Sequence, residues 1–502
     1  MSIYMHLKLK SKFIYVLVLL MVVFVLDSKS QTGFEFYPLE NQYNSSSYNP
    51  AFLSSIGQFT FSVFPFAGTS LGYNNQNEVQ QLVKKLISGT NKEVEYIDLA
   101  KIMVDRPTYN QRLENELLSF TYRAKDGFWN FRISENAFFS ASVNGPVSLF
   151  MIKPEVKSVA VGLIQKVPAL ILHYREYSVG YSTPEDHRNL SLGIRAKLYY
   201  GKAAFSSGIS GSVNELGGTY YLKMIGTGKM SMPESNTMND DGSITTTPSL
   251  SGSSVGKYLM NSGNPGFGID LGAKYQFTSK FSASASIIDL GAINWKKNLN
   301  SKNFNGDFFF KSWSIQPSVE NGIRMITKTA DSISFTDDVS SLFKVKPSNR
   351  PFSTPMPVTF YAGLNYTLTP MVQLNLTDRF IRIKRMNHNS FSMTANIELS
   401  KRFTLNTGFA TIGNAYDNIP LALLYNPDFG QIYFGTDNLL SLIAPESSEY
   451  TGFSFGMCFY IFRKRDLYEK PTDDFPYRRP KKVKKVENTG RIQQEYDEFY
   501  PQ

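Results

Sequence analysis

From Ile269 to Ile287 the chain alternates. Ile269, Leu271, Ala273, Tyr275, Phe277, Phe281, Ala283, Ala285 and Ile287 hold the odd positions. Asp270, Gly272, Lys274, Gln276, Ser282, Ser284 and Ser286 hold the even ones. A two-residue period sends successive side chains to opposite faces of a strand, so this stretch predicts a hairpin with an apolar and a polar face, turning at Thr278-Ser279-Lys280. The format recurs. Val358 to Leu376 reverses at Thr369-Pro370. Phe391 to Phe409 sets Met393, Ala395, Ile397, Leu399, Phe403 and Leu405 against Ser392, Thr394, Asn396, Glu398, Thr404 and Asn406. Leu190 to Ser207 reads as a fourth hairpin turning at Gly201-Lys202. A last strand, Thr451 to Phe462, sets Phe453, Phe455, Met457, Phe459 and Ile461 against Gly452, Ser454, Gly456 and Cys458, with Tyr460 and Phe462 expected in an aromatic girdle. Further strands are expected at 58–73, 128–143, 174–182 and 431–437.

Each hairpin arm runs about nine to eleven residues, the length a tilted strand needs to cross a bilayer; strands of soluble sandwiches average about five or six. A soluble sandwich would alternate too, but many long apolar-faced strands without closure would leave aggregation-prone edges, and a barrel has none. The predicted fold class is therefore all-β: a transmembrane antiparallel up-and-down β-barrel of about 14 strands, with an N-terminal plug segment, a helical insert and a disordered C-terminal tail. No stretch beyond residue 30 is apolar for the roughly 18 residues a spanning helix requires, and residues 158–172 are interrupted by Gln165 and Lys166.

The flanks of this pattern supply the remaining organisation. Lys8, Lys10 and Lys12 precede an apolar block from Phe13 to Leu26, and Ser28 and Ser30 offer small residues for cleavage before Gln31, so residues 1–30 are expected to be a signal peptide. Residues 31–57, with Asn49, Pro50 and Phe52, are expected to plug the lumen or hang in the periplasm. The barrel is assigned to 58–463. Within it, 75–119 is expected to be a helical insert. Val79, Leu82, Val83, Leu86 and Ile87 have helical spacing, and Leu113, Leu117, Leu118 and Phe120 suggest a second helix. Residues 226–265 read as a long polar loop. Residues 464–502, including the basic run from Arg478 to Lys485, read as a disordered periplasmic tail.

Composition narrows the chemistry. The 502 residues are 42% hydrophobic, 14% aromatic and 19% charged, which excludes a disordered chain, and the single Cys458 forbids an intramolecular disulfide or a cysteine zinc cluster. Removing residues 1–30 takes away four lysines and one aspartate, lowering the net charge from +10 to +7. Gly68-Thr69-Ser70-Leu71-Gly72 has the spacing of a nucleophile elbow but lies in an alternating strand, and Gly252 to Lys257 is one residue short of a phosphate loop. His173, His187 and His388 are not spaced as metal ligands; a histidine-dependent membrane hydrolase is the remote alternative. No enzyme activity and no cofactor are expected. The better lead is the polar face, which places Arg195, Lys197, Asp270, Lys274 and Glu398 as candidate lumen-lining residues, where opposite charges would pair and restrict ion passage.

The stretches Asn264 to Tyr275 and Ser286 to Trp295, together with Asn49-Pro50-Ala51-Phe52 and Phe434-Gly435-Thr436-Asp437-Asn438, resemble an uncharacterised family of outer-membrane barrels from Bacteroidetes-type bacteria. That family is distantly similar to long-chain fatty-acid transporters and to barrel components of the gliding and type IX secretion machinery. The resemblance implies an outer-membrane address and a barrel of about 14 strands with an N-terminal segment inside; an even number of strands leads to the expectation of periplasmic termini. The resemblance also implies passage or binding of a small hydrophobic compound, with no ligand residues to carry over. The alternative is a membrane anchor or scaffold for secretion, gliding or envelope partners. Outer-membrane lipid, a small hydrophobic ligand and a periplasmic protein engaged by the 464–502 tail are the expected partners; nucleic acid is not.

Overall fold

The computed structural model describes residues 34–52, 58–74, 108–124, 127–142, 162–183, 189–216, 219–232, 236–238, 244–246, 252–310, 313–320, 323–330, 333–334, 343–383, 386–412, 415–443, 448 and 450–461. The expected signal peptide, the first predicted helix of the insert and the tail lie outside these residues.

The wall begins with β1 (Phe59–Val63) and β2 (Thr69–Asn74), then β3 (Thr108–Arg123), β4 (Phe128–Ser142), β5 (Gly162–Ser182) and β6 (Leu190–Leu216). An excursion follows through β7 (Thr219–Ser231), the ribbon β8 (Asn236–Met238) and β9 (Ile244–Thr246), and helix α1 (Gly252–Leu259). β10 (Pro265–Gln276) and β11 (Phe281–Trp295) rejoin the wall. A second excursion holds β12 (Lys302–Phe310), β13 (Trp313–Glu320), β14 (Ile323–Ala330), β15 (Ile333–Ser334) and β16 (Phe343–Pro347). Then come β17 (Phe352–Pro355), β18 (Val358–Thr369), β19 (Val372–Ile383), β20 (Met386–Ser400), β21 (Phe403–Ile412), β22 (Ala415–Asn418), β23 (Leu421–Tyr425), β24 (Gly430–Thr436), helix α2 (Leu439–Ile443) and β25 (Tyr450–Ile461).

β25 closes the circle. It pairs with β24 on one side and with both β1 and β2 on the other, Phe59 opposite Ile461 and Thr69 opposite Phe455. Counting β1 and β2 as one interrupted strand, the result is a closed antiparallel barrel of fourteen strands. Short connections at 124–127, 278–280, 370–371, 401–402 and 426–429 define a turn end. The connections that follow β2, β4, β6 and β11 are longer and leave the opposite rim, the loop end.

The hairpins expected at 269–287, 358–376 and 391–409 form as β10–β11, β18–β19 and β20–β21. The fourth does not. β6 runs unbroken for 27 residues, and at Gly201-Lys202 it carries a β-bulge: Tyr174 faces Gly201 and His173 faces Ala203, leaving Lys202 as the extra residue. A bulge and a turn both break the alternation at a glycine, so the sequence signal is the same for either. The second helix of the insert is likewise a strand. Leu113, Leu117, Leu118 and Phe120 lie on β3, whose register shifts between Glu116 and Leu118. One extra residue in a two-residue period imitates helical spacing. The strand expected over 58–73 is interrupted at 64–68, and that expected over 174–182 begins twelve residues earlier, at Gly162. The stretch 226–265 is not one aperiodic loop, since β7 extends to Ser231 and α1 covers Gly252–Leu259. Tyr460, expected in a periplasmic aromatic girdle, shares the inward face of Cys458 and packs against the cluster of Phe36, Leu39 and Tyr433.

The wall reverses its polarity with height. Toward the turn end, β5 points Ser178 and Glu176 inward and Val179 and Tyr177 outward; further up, Tyr174, Leu172 and Leu170 point inward while Arg175 and His173 point outward. β4 changes from Ile133 to Glu135 on its outer face and from Asn136 to Phe138 on its inner one. β19 replaces inward Thr377 and Arg379 by Ile381 and Ile383, with Arg382 now outside. On β11 the change is made by a bulge. Ser282, Ser284 and Ser286 face inward at even positions, whereas beyond Asp289, whose φ of 63° lies in the left-handed region, Ile293 and Trp295 face inward at odd ones. An apolar outside suits lipid and a polar outside suits water, so the level of reversal marks the upper edge of the membrane band.

Candidate functional site

The barrel interior is filled in three tiers. Nearest the turn end lies the segment 34–52, wound through two 3₁₀ turns at Phe34–Phe36 and Ser45–Ser47 and held by short backbone bonds such as Leu39 N to Phe36 O at 2.9 Å and Tyr48 N to Ser45 O at 3.0 Å. Its aromatic residues sit against bare or aromatic wall: Tyr37 stacks on Tyr361 at 4.7 Å and Phe36 meets Tyr433 edge-on at 5.0 Å. Its backbone is satisfied by wall side chains, which is what a coiled segment without a sheet partner requires. Gln431 accepts from Tyr43 N at 2.7 Å and donates to the Asn41 carbonyl at 3.1 Å; Asn396 donates to the Pro38 carbonyl and Ser286 to that of Tyr48. Lys274 pairs with Glu40 at 2.6 Å, and Asn365 donates to the other oxygen of that carboxylate.

Asn49 is the pivot. Its amide nitrogen donates to the carbonyls of Ala273 and Ala285, cross-strand partners on β10 and β11, while its oxygen accepts from Ala51 N at 2.9 Å. Pro50 rests in a notch made by Gly193 and Gly272, which face each other across β6 and β10; a Cβ on Gly193 would overlap Pro50, and one on Gly272 would overlap Asn49. Phe52 packs on Tyr37 at 5.1 Å. The three candidate plug residues are therefore seated inside the barrel. Glu35, at the start of the segment, is buried beside Asp437; burial first, and then the charge of Asp437, hold its carboxyl well above the usual range.

Above the plug lies a belt of charge. Lys197 Nζ reaches Asp289 at 2.6 Å, Asp270 at 3.0 Å and Glu176 at 3.6 Å. Arg195 lies 3.7 Å from Asp270 and donates to Ser46 of the plug at 2.9 Å. Arg132 pairs with Glu114 and Glu116 and donates to Ser47 at 2.7 Å. Arg112 lies 3.8 Å from Asp289. The bulge contributes here too: the backbone N–H of Asp289 donates to Asp270 at 2.8 Å. Four cations thus face five carboxylates at close range in a closed interior, a near balance that leaves no single-sign path for an ion.

The third tier, at the loop end, is apolar. Phe138, Leu172, Ile293, Trp295, Ile381 and Ile383 are among its buried members, and Trp295 Nε1 donates to Thr354 at 3.2 Å.

Of the sequence-derived candidates, Arg195, Lys197, Asp270 and Lys274 all point into the barrel, the first three in the belt and Lys274 against the plug. Glu398 lies apart from them, half-buried at the turn end, where β20 shifts register and its backbone N–H donates to Met371 O. Sequence reasoning missed Arg112, Glu114, Glu116, Arg132, Glu176 and Asp289. The first three sat in the stretch read as helix, and Asp289 lay beyond a phase shift. Among the described residues no group of histidine, cysteine and carboxylate side chains is placed to hold a metal ion. Ser70 lies within β2, and Gly252 to Lys257 within α1, so neither short motif has its catalytic or phosphate-binding context.

Fold and interior together define a closed membrane barrel whose lumen is occupied by its own N-terminal segment. The chain belongs to the family of unknown function designated DUF5723, whose model matches residues 50–437. Among curated proteins no match is found. Solved structures similar to it include the toluene transporter TbuX of Ralstonia pickettii (9% identity, 83% of this chain and 92% of that one, TM-score 0.34). Others are the toluene transporter TodX of P. putida (10% identity, 86% and 95%, TM-score 0.31) and a FadL homologue of Pseudomonas aeruginosa (10% identity, 83% and 94%, TM-score 0.33). Likenesses this distant bring neither a ligand nor a mechanism to this chain.

Proposed function

We propose that this chain is an outer-membrane barrel, with its turn end and termini in the periplasm, that takes up or binds a small hydrophobic compound at its loop-end mouth. The observation that carries this reading is the third tier: where a water-filled lumen would need polar side chains, the wall turns Leu172, Trp295 and Ile381 inward. A hydrophobe leaving water would enter that layer and stop at the charge belt. Onward passage would require the plug to leave the Gly193–Gly272 notch. The test is binding of N-phenyl-1-naphthylamine to the protein in detergent, read by its fluorescence and by quenching of Trp295. Saturable binding that is lost in Leu172→Glu, while the barrel still migrates as a compact form unless boiled, supports the reading. Unsaturable uptake, indifferent to that change, sinks it.

A second reading has its own support. The plug and the ion-paired belt fill the described interior, and a barrel so filled suits an anchor that carries its loop-end excursions outside and a basic 464–502 tail in the periplasm for envelope partners. It predicts that deleting 464–502 abolishes the cellular phenotype while naphthylamine binding stays as it was.

A further inference from the structure

The inner face of β20 is polar over its whole height. Asn396, Thr394, Ser392 and Ser390 are buried in turn from the turn end upward, and His388 follows, its Nε2 3.4 Å from the Asn110 amide nitrogen on β3. Its neighbour β19 gives way to Ile381 and Ile383 at that level, whereas the apolar third tier has no member on β20. Cross-strand register sets Thr377 beside Ser392, Asn375 beside Thr394 and Asn406 beside Asn396. Asn375 Oδ1, Thr377 Oγ1, Ser392 Oγ and Asn406 Oδ1 are nonetheless buried without a hydrogen-bond partner among the described residues, and both side-chain amide atoms of Gln42 on the plug share that state.

The cause is what the plug lays over this wall. Tyr37 shares one cluster with Ala410, and Phe36 and Leu39 share another with Ala422. Ala410 is the cross-strand neighbour of Ser392, and Ala422 that of Asn406. Apolar plug residues thus cover a wall of hydroxyls and amides, where a buried polar group without a partner costs more than a formed hydrogen bond returns. The walls of β4, β6, β10 and β11 differ. There Lys274 holds Glu40, Arg195 holds Ser46, Arg132 holds Ser47 and Ser286 holds the Tyr48 carbonyl, at 2.6–2.9 Å. On the β20 side Asn396 holds the Pro38 carbonyl at 2.9 Å, near the turn end. One flank of the plug is tied down and the other is mismatched.

We propose that the plug has a second position, swung off β19–β21 about its anchor at Asn49 and Pro50, in which the inner face of β20 lines a water-filled passage for small uncharged polar solutes. The swing brings the orphaned atoms of Asn375, Thr377, Ser392 and Asn406 into water and keeps the bonds of Asn49 to Ala273 and Ala285. Hydroxyls and amides both donate and accept, and from Asn396 to Ser390 no ionised side chain stands on this face. The lining therefore offers a neutral solute hydrogen bonds and an ion no counter-charge. The passage requires a membrane barrel with its plug inside, and it is independent of hydrophobe binding at the mouth.

The experiment is swelling of proteoliposomes holding the full chain in isosmotic L-arabinose, read by light scattering, beside hydrogen exchange of residues 34–39. Asn396→Ala removes the tie to Pro38 and swells faster than the wild type. Thr377→Val with Ser392→Ala removes two orphaned hydroxyls, seats the plug more firmly and slows both swelling and exchange by about tenfold. An Asn396→Ala barrel that admits arabinose no faster than empty vesicles overturns the passage. Potassium gluconate entering as fast as arabinose overturns its restriction to uncharged solutes. Exchange at 34–39 left untouched or quickened by the double change overturns the second position of the plug. Gel migration with and without boiling accompanies every variant: a wild type that does not shift refutes the membrane barrel itself, whereas a normal shift without arabinose entry refutes only the passage.

Discussion

The band of wall between the two membrane surfaces and the rim above it are built by the same strands with opposite rules. In the band, Glu176 faces Lys197 of the charge belt and Tyr177 faces lipid; at the rim, Leu172 faces an apolar layer and Arg175 faces out. Two-residue alternation tells which side chains share a face, and it says nothing of which face meets oil. Height decides that. The exchange is achieved either by swapping residue types in constant phase, as on β5 and β19, or by a bulge that shifts the phase, as at Lys202 and Asp289.

This contrast can be broken from either side. The largest effect is expected in the belt: Lys197→Met leaves Asp270, Asp289 and Glu176 without their shared cation and should cost about 3–5 kcal/mol, seen as a lower denaturant midpoint for the compact gel form. Adding Asp270→Asn and Asp289→Asn should restore much of it. At the rim, Leu172→Ala should cost about 2–5 kcal/mol, as in the core of a soluble protein, because nothing fills the cavity. Leu364→Ala, on the lipid face, should cost well under half of that in the same assay, since acyl chains close over the gap. Equal costs for Leu172 and Leu364 would erase the distinction between band and rim.

Smaller effects concern the plug. Asn49→Ala removes donors to two wall carbonyls and should loosen the segment by about 1–3 kcal/mol, measured as faster proteolysis of residues 34–52 in the intact barrel. The smallest is a pH dependence. Seated, Glu35 is buried beside Asp437, with Arg379 an opposing influence, and burial followed by the charge of Asp437 favours its protonated form; withdrawn, it returns to the usual carboxylate range. Seating therefore takes up a proton, so it is strongest in acid and weakens as the pH rises above the ordinary glutamate value. Glu35→Gln should flatten the curve, and a plug equally protected from protease at pH 5 and pH 8 would contradict it.

Much of this was legible in the alternation. The hairpins β10–β11, β18–β19 and β20–β21 follow from period and turn residues alone, and their polar faces located Asp270 and Lys274 inside. What failed did so where an extra residue breaks the phase. Lys202 passed for a turn, Leu117 for part of a helix, and Asp289 concealed the inward path to Trp295. Partners of the belt were hidden for the same reason, because Arg112, Glu114 and Glu116 lie on the strand mistaken for helix. Nor could any local pattern show that Gly193 and Gly272 stand opposite each other as a seat for Pro50, since that depends on register between distant strands.

The seam at which β25 meets β1 and β2 joins the first and last strands of the wall around a segment that precedes both. Enclosure must then be the last event of assembly: whatever inserts the chain has to hold residues 34–52 in place while all fourteen staves are set around them. A copy halted short of Tyr450 would be an open trough with its cork exposed, a substrate for envelope proteases and no barrier at all.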